Sequence, residues 1–409
     1  MNNLRLLITT VCLSVLGLLP LTAAAAETEI VLWHSYRAEE KSALEKVVAE
    51  YNKANAGKAK VTTLAVPYDA FADKITATVP RGKGPDLFIF AQDRLGGWIE
   101  AGNTIEPIDF FLDDALKKRF IPTTMQAMTY RGTVYGLPLN YKNIALIYNK
   151  KLVPTPPKTS GELVAMAKKL TDKKAGRFGL AYSYGDFYYH AALMNGFGGG
   201  GVFDPKFNPT LNSKENVQSV DYLLKWIDKD GILPAEPSTA LITSLFNDGK
   251  AGIVFSGPWF LGEIAKGIDY GIAPLPTLDE VGGKPMRPWM TVEGVYVTAP
   301  SKNKEAAFEF ARFLTETSSA KVLALEGRQS PANADIYTDA QVSKDPQLKA
   351  FRDQVEVAVP MPNVPEMTMV WSPATTAMNA ILKKASTPKA ALDKAQQQVA
   401  KDVAGLRKK

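Results

Sequence analysis

From Ile30 onward, short continuous apolar runs alternate with stretches whose apolar residues recur at helical spacing. Ile30 to Trp33 is a strand-type run. Ala38 to Asn55 then places Leu44, Val47, Val48 and Tyr51 at i, i+3, i+4 and i+7, one face of a helix, and Asn55-Ala56-Gly57 supplies its stop. Lys60 to Val66 is β-branched, Tyr68 to Val79 is helical, and Gly84-Pro85-Asp86 turns the chain into the apolar run Leu87 to Ala91. The same grammar returns after a hairpin-like stretch around Arg131-Gly132. Thr159-Ser160-Gly161-Glu162 has the form of a capping box and opens a helix through Leu170, while Phe178 to Tyr182 and Ala251 to Ser256 read as buried strands. Strands separated by helices predict an α/β fold with a parallel sheet covered on both faces.

At 409 residues the chain exceeds what one hydrophobic core usually serves, which predicts two lobes. His34, His190 and Cys12 are the full set of histidines and cysteines, so no structural zinc site, haem ligand set or disulfide framework can be assembled; no metal and no cofactor are expected. The first 26 residues read as a secretory signal peptide. Arg5 is the basic region, Leu6 to Leu21 the apolar run, and Ala24-Ala25-Ala26 the small-residue cleavage site before Glu27. The apolar stretch is shorter than the roughly 20 residues a spanning helix needs, and Cys12 lies inside it rather than after a cleavage motif, which argues against a lipid anchor. The net charge of +6 is spread through single lysines and short pairs, without the basic stripe interleaved with aromatics that nucleic-acid binding favours. Arg407-Lys408-Lys409 reads as a solvated tail. Gly198 to Gly201 lacks the Lys-Ser/Thr of a phosphate-binding loop and reads as a loop tip.

In open α/β sheets, ligands lie beyond the carboxyl ends of the strands. That rule selects Trp33, His34, Tyr36 and Arg37 after the first strand, Phe90 to Arg94 after Leu87 to Ala91, and Gly257-Pro258-Trp259 after Ser256. Pro258 suits a first helical turn, which would set Trp259 at a helix start facing the crevice. Rings mixed with directional polar groups suit a sugar, whose C–H face lies on an indole while charged side chains hold its hydroxyls.

These residues carry a resemblance. Ala91-Gln92-Asp93-Arg94-Leu95-Gly96-Gly97, Gly257-Pro258-Trp259 and Met361-Pro362-Asn363-Val364-Pro365-Glu366-Met367, ending at Trp371, are similar to segments of the maltose and maltodextrin-binding proteins of bacterial ABC importers. Leu146-Ile147-Tyr148-Asn149-Lys150, Pro156-Pro157-Lys158-Thr159 and Phe246-Asn247-Asp248-Gly249-Lys250 match in the same order. The resemblance implies a two-lobed periplasmic-binding-protein fold of type II, with one lobe of residues 27–139 plus 293–335 and the other of 140–292 plus 336–409. It implies a monomeric, non-enzymatic binder in the periplasm that closes on maltose or maltodextrin and docks on a membrane permease; reading by a chemoreceptor stays open. Asp93 and Arg94 fall on the family's sugar-hydroxyl ligands, Trp259 and Trp371 on its stacking rings, and Phe90 where the family has a tryptophan. Two departures turn acceptors into donors: Arg37, followed by Ala38, in the first strand-to-helix loop, and Lys142 near the inter-lobe strand. Either the pocket prefers an anionic or differently arranged ligand, or the lysine still donates to a neutral sugar. Tyr184, Asp186 and Tyr188 lie where the family has an acid and aromatic rings.

Two other readings are carried forward. An exported glycoside hydrolase or lyase would use Asp93 and Glu293 as its carboxylate pair; His190 near Asp186 and Ser183 can be read as a nucleophile relay, although three such residues within eight positions are usually coincidental. The same fold could instead hold another oligosaccharide, a phosphorylated polyol or an oxyanion.

Overall fold

The computed structural model describes residues 27–199, 201–235 and 237–408; the expected signal peptide lies outside the described residues. The larger of two mixed sheets is built on strand Thr28–His34, which pairs in parallel with Ala59–Ala65 on one side and Leu87–Ala91 on the other. Helices Ala38–Ala54 and Tyr68–Thr78 make the crossovers. Their apolar stripes, Leu44, Val47, Val48 and Tyr51 on one and Phe71 and Ile75 on the other, are buried in the same core as Ile30, Leu32 and Leu87 of the sheet.

Beyond Leu87–Ala91 the sheet changes direction. Trp289–Val297 pairs antiparallel with it, Leu137–Lys142 pairs antiparallel with Trp289–Val297, and Ser330–Pro331 closes that edge. The strands with local helical crossovers are parallel, as patterning predicts, whereas Trp289–Val297, Leu137–Lys142 and Ser330–Pro331 are joined to the sheet through antiparallel pairs. Patterning alone does not reveal these two strands, because Asn140, Lys142, Thr291 and Glu293 interrupt their apolar runs although every residue in both is buried. A bulge between Glu293 and Gly294 shifts their register, bending the strands where those polar side chains meet.

The second sheet runs in the order Tyr270–Ala273, Ala145–Asn149, Ala251–Ser256, Phe178–Ala181, with only the last pair parallel. Helix Ser160–Leu170 begins as its capping motif predicts: the Thr159 hydroxyl accepts from the Glu162 amide at 3.2 Å. The Glu162 carboxylate reaches back one residue further than in a regular capping box, to the amide of Lys158 at 2.7 Å. One core gathers apolar residues between 30 and 141 and between 290 and 332; a second gathers residues between 144 and 289 with others between 361 and 403. A smaller cluster joins Phe351 to Ala145 and Val254 of the second sheet and to Phe260 just beyond it. The chain therefore passes from one core to the other after Tyr141, near Trp289, and again beyond Ala332.

Ala38, the first residue of its helix, has φ of 45°, in the left-handed region that costs an L-residue about 1–2 kcal/mol. Ala38→Gly is expected to raise unfolding stability by about 1 kcal/mol, read as a higher urea midpoint at unchanged slope. A midpoint equal to or below that of the parent chain would contradict it.

Candidate functional site

After Leu87–Ala91 the chain makes the tight turn Gln92–Arg94 and enters helix Leu95–Ala101. Gln92 is wholly buried and fixes this turn from two sides: its Oε1 accepts from the Val292 amide at 2.7 Å and its Nε2 donates to the Met361 carbonyl at 3.1 Å. The Gly96 amide donates to the Asn363 carbonyl at 2.9 Å. A β-carbon on Gly96 would lie 2.6 Å from that oxygen, and one on Gly97 would lie 2.9 Å from the Thr368 methyl. The paired glycines thus let the segment from Met361 to Met369 lie directly on the helix, so two motifs far apart in sequence form one packed unit. Trp371, opening helix Trp371–Leu382, is delivered by that unit. Its Nε1 donates to Asp93 Oδ2 at 3.1 Å, and Arg94 Nε stands 3.2 Å from the same oxygen, with its guanidinium 5.9 Å from the indole centroid. Asp93 is only 4% exposed. Burial pushes its carboxyl up to about 6, against the opposing pull of Arg94 and of the Trp371 donor.

A row of rings continues from Trp371. Its centroid lies 5.6 Å from that of Trp289, edge-on at 75°; Trp289 lies 6.1 Å from Tyr188, and Tyr188 lies 6.2 Å from Trp259. Tyr188 is held by a hydrogen bond between its hydroxyl and Thr291 Oγ1 at 3.0 Å. Trp259 occupies the second position of the turn Pro258–Glu263, with Pro258 first, and any side chain on Gly257 would overlap its indole. Trp289 is absent from the sequence-based candidates: it opens a strand hidden from patterning, so no periodic signal marks it.

Three of the candidates form a buried network below these rings. Lys142 Nζ lies 2.8 Å from Glu40 Oε1 and 3.1 Å from Glu293 Oε1. Burial pulls its pKa down, but Glu293 and Glu40 outweigh that and hold it above the ordinary lysine value. The Tyr36 hydroxyl donates to Glu293 Oε2 at 2.8 Å and accepts from Asn140 Nδ2 at 3.0 Å. Burial raises the Glu293 pKa, Lys142 lowers it, and Glu40 raises it, for a net upward shift. Lys142 is therefore a compensated charge between two carboxylates rather than an unpaired donor. Arg37 is likewise paired, its guanidinium 2.7 Å from Glu263 Oε1 at the end of the Trp259 turn. A β-carbon on Gly262, beside that glutamate, would lie 3.3 Å from the Ala38 methyl.

Other candidates lie elsewhere. Phe90 is 4% exposed and packed among Phe71, Tyr68 and Trp98, so its ring is a support. Tyr184 is in the second core, its hydroxyl donating to the Pro234 carbonyl at 2.7 Å. Asp186 caps helix Phe187–Phe197 by accepting from the Tyr188 amide at 2.9 Å. His190 faces Ser219 Oγ at 3.0 Å, so the proposed relay with Ser183 and Asp186 is not formed; burial lowers its pKa to about 4. His34 is fully buried, its Nδ1 accepting from the Tyr36 amide, and Trp33 lies under the Lys74 ammonium at 4.5 Å. Among the described residues, no group of three or more potential ligands could hold a metal ion, and no helix is long and apolar enough to cross a membrane.

The raised Asp93 pKa has a defined pH consequence. Between the ordinary carboxyl value of 3.8 and about 6 the folded chain binds more protons than the unfolded one, so this group's contribution to stability declines as pH rises through that window. Asp93→Asn is expected to flatten that part of the melting profile, with its advantage over the parent chain growing from pH about 4 to pH about 7. Parallel profiles across that range would contradict the shift.

Residues 35–321 match the family model described as bacterial extracellular solute-binding protein. The chain is 32% identical over 394 residues to a maltotriose-binding protein of Pyrococcus abyssi, covering 94% of this chain and 84% of the relative. It is 30% identical over 381 residues to a galactooligosaccharide-binding protein of Bacillus subtilis, covering 90% and 88%. The Thermus thermophilus maltotriose binding protein bound with maltotriose superposes with a TM-score of 0.83 at 28% identity, over 91% of this chain and all of that one. With a family match over residues 35–321 and a relative 32% identical across 94% of this chain, the two-core chain belongs to the bacterial extracellular solute-binding protein family.

Proposed function

We propose that this exported chain binds a neutral maltodextrin between its two lobes and presents it, in a closed form, to the membrane permease of an ABC importer from the periplasm. The lobes are taken as residues 27–139 plus 293–335 and 140–292 plus 336–409, a division that the two separate cores support. The observation that carries the reading is the row of rings from Trp371 through Trp289 and Tyr188 to Trp259, ending at the buried Asp93 carboxylate. Trp371, Tyr188 and Trp259, each only partly buried, offer apolar faces to the C–H surfaces of glucosyl units, with the buried Trp289 as their backing, and Asp93 and Arg94 supply charge-assisted hydrogen bonds to hydroxyls. The maltotriose-binding relatives support this choice of ligand.

Pairing of Arg37 with Glu263 and of Lys142 with Glu40 and Glu293 argues against an anionic cargo, because neither cation is unpaired. The same pairings argue for binding over hydrolysis. Glu293 is bound to Lys142 and Tyr36, and Asp93 to Trp371 and Arg94, which leaves neither carboxylate the independent role that a glycosidase pair requires. Closure itself depends on differential contacts: reversing a 99:1 preference for the open form takes about 5.5 kcal/mol of interactions made only when shut.

Calorimetric titration with maltose, maltotriose, a galactooligosaccharide and one acidic saccharide tests the reading. Maltotriose is expected to bind with an affinity that changes little between about 0.05 and 0.5 M salt, with no glucose released on prolonged incubation. Binding of the acidic sugar alone, or marked weakening by salt, would overturn the neutral-ligand assignment. Preferential binding of the galactooligosaccharide would change the cargo. Trp259→Ala and Trp371→Ala are each expected to weaken maltotriose binding by roughly ten-fold with unchanged folding, and normal binding by both would remove the rings from the site.

A further inference from the structure

Tyr68 opens helix Tyr68–Thr78 directly after Pro67 and is 58% exposed, although its neighbours are buried: Phe71, one turn on, has no exposure and Phe90 has 4%. Phe90 stacks on Phe71 at 4.9 Å and 6°, and Tyr68 stacks on Phe90 at 5.2 Å and 25°. The Tyr68 ring is thus fixed by a buried stack while much of its surface meets solvent. Single exposed apolar side chains are common and ordinarily need no explanation. Tyr68 differs in its setting: it follows the carboxyl end of strand Ala59–Ala65 and stacks on Phe90 in the strand that leads into the Asp93 turn, and its phenol is held above its ordinary pKa, first by the surrounding protein and then by Asp93, Tyr188 and Glu293. The groups acting on it include Asp93, three residues beyond Phe90, and Tyr188, which belongs to the row of rings on the other side.

We infer that Tyr68 is the carbohydrate platform on the first lobe's wall of the cleft, taking the stacking role that the resemblance gives to Phe90, which serves instead as its backing. The free ring face receives the C–H face of a glucosyl unit, and the hydroxyl adds a hydrogen bond that a phenylalanine or an indole at the Phe90 position would not supply there. This inference rests on the saccharide-binding reading and specifies which aromatic side chain opposes Tyr188 and Trp259.

The test is calorimetric titration of the full chain with maltotriose. Tyr68→Ala is expected to bind roughly three- to ten-fold more weakly, the size of one aromatic contact, and Tyr68→Phe to retain part of the affinity. Phe110→Ala, at a side chain 94% exposed and outside the site, is expected to bind like the parent. Parent-like binding by Tyr68→Ala, with Trp259→Ala impaired, overturns the platform and leaves saccharide binding standing. A parent chain that binds no saccharide overturns both. Should Tyr68→Ala melt early, ring-labelled tyrosine spectra decide: the resonance missing from Tyr68→Phe is expected to shift on saturation with maltotriose, and an unmoved resonance refutes the assignment.

Discussion

The buried ion cluster of Lys142, Glu40 and Glu293 is the constraint on which the rest of this architecture depends. It sits where the strands carrying the chain between its cores lie side by side, and all three members are less than a tenth exposed. Two carboxylates and one ammonium in such a place are tolerable only when mutually paired and hydrogen-bonded, since an isolated buried charge costs several kcal/mol. Tyr36 and Asn140 complete the pairing, with Asn140 also bonded to Gln329 at 2.5 Å. Side chains from the first helix, both crossing strands and the Gln329 segment are thereby tied to one another beneath the cleft. The bulge beside Glu293 fits the same need, because it turns these polar groups toward one another in strands that are otherwise apolar.

On that base, the contact between Asp93 and Trp371 is assembled largely by packing of segments far apart in sequence. Gln92 bridges a crossing strand and the Met361 segment, Gly96 and Gly97 admit that segment against a helix, and Trp371 arrives beside Asp93 as a result. Thr291 then links the base to the rings: its hydroxyl donates to the Lys142 carbonyl at 3.2 Å and pairs with the Tyr188 hydroxyl at 3.0 Å. Positions of the rings are therefore inherited from the strands that connect the two cores, so a change of strand geometry is felt directly at the wall.

Much of this was legible in the sequence wherever a local rule applied. The strands Leu87–Ala91 and Ala251–Ser256 have the limits that their apolar runs predict, the first two helices follow their spacing, and the strand-end rule led to Asp93, Arg94 and Trp259. What escaped depended on long-range partners. The strands Leu137–Lys142 and Trp289–Val297 carry polar residues whose counterparts lie more than a hundred positions away, so their polarity imitates a loop. Lys142 and Arg37 read as unpaired donors because Glu40, Glu293 and Glu263 are invisible as partners until the chain is folded. Tyr184 and Tyr188 are four residues apart and chemically alike, yet one is a core tether and the other stands in the row of rings. Tyr68 reads in sequence simply as the first residue of an amphipathic helix.

The strand order of the larger sheet has a consequence for how such a molecule comes into being. Its inner strand Trp289–Val297 inserts between Leu87–Ala91 and Leu137–Lys142, two elements synthesised long before it. Until that late piece emerges, the early strands have an unfilled edge and cannot form the finished sheet. Pairings of such wide sequence separation are slow to nucleate, since a large loop must close before any contact rewards it. The sheet can therefore be completed only after residue 297 has been made, so the interval before that strand arrives is when the early strand edges are open to wrong pairing.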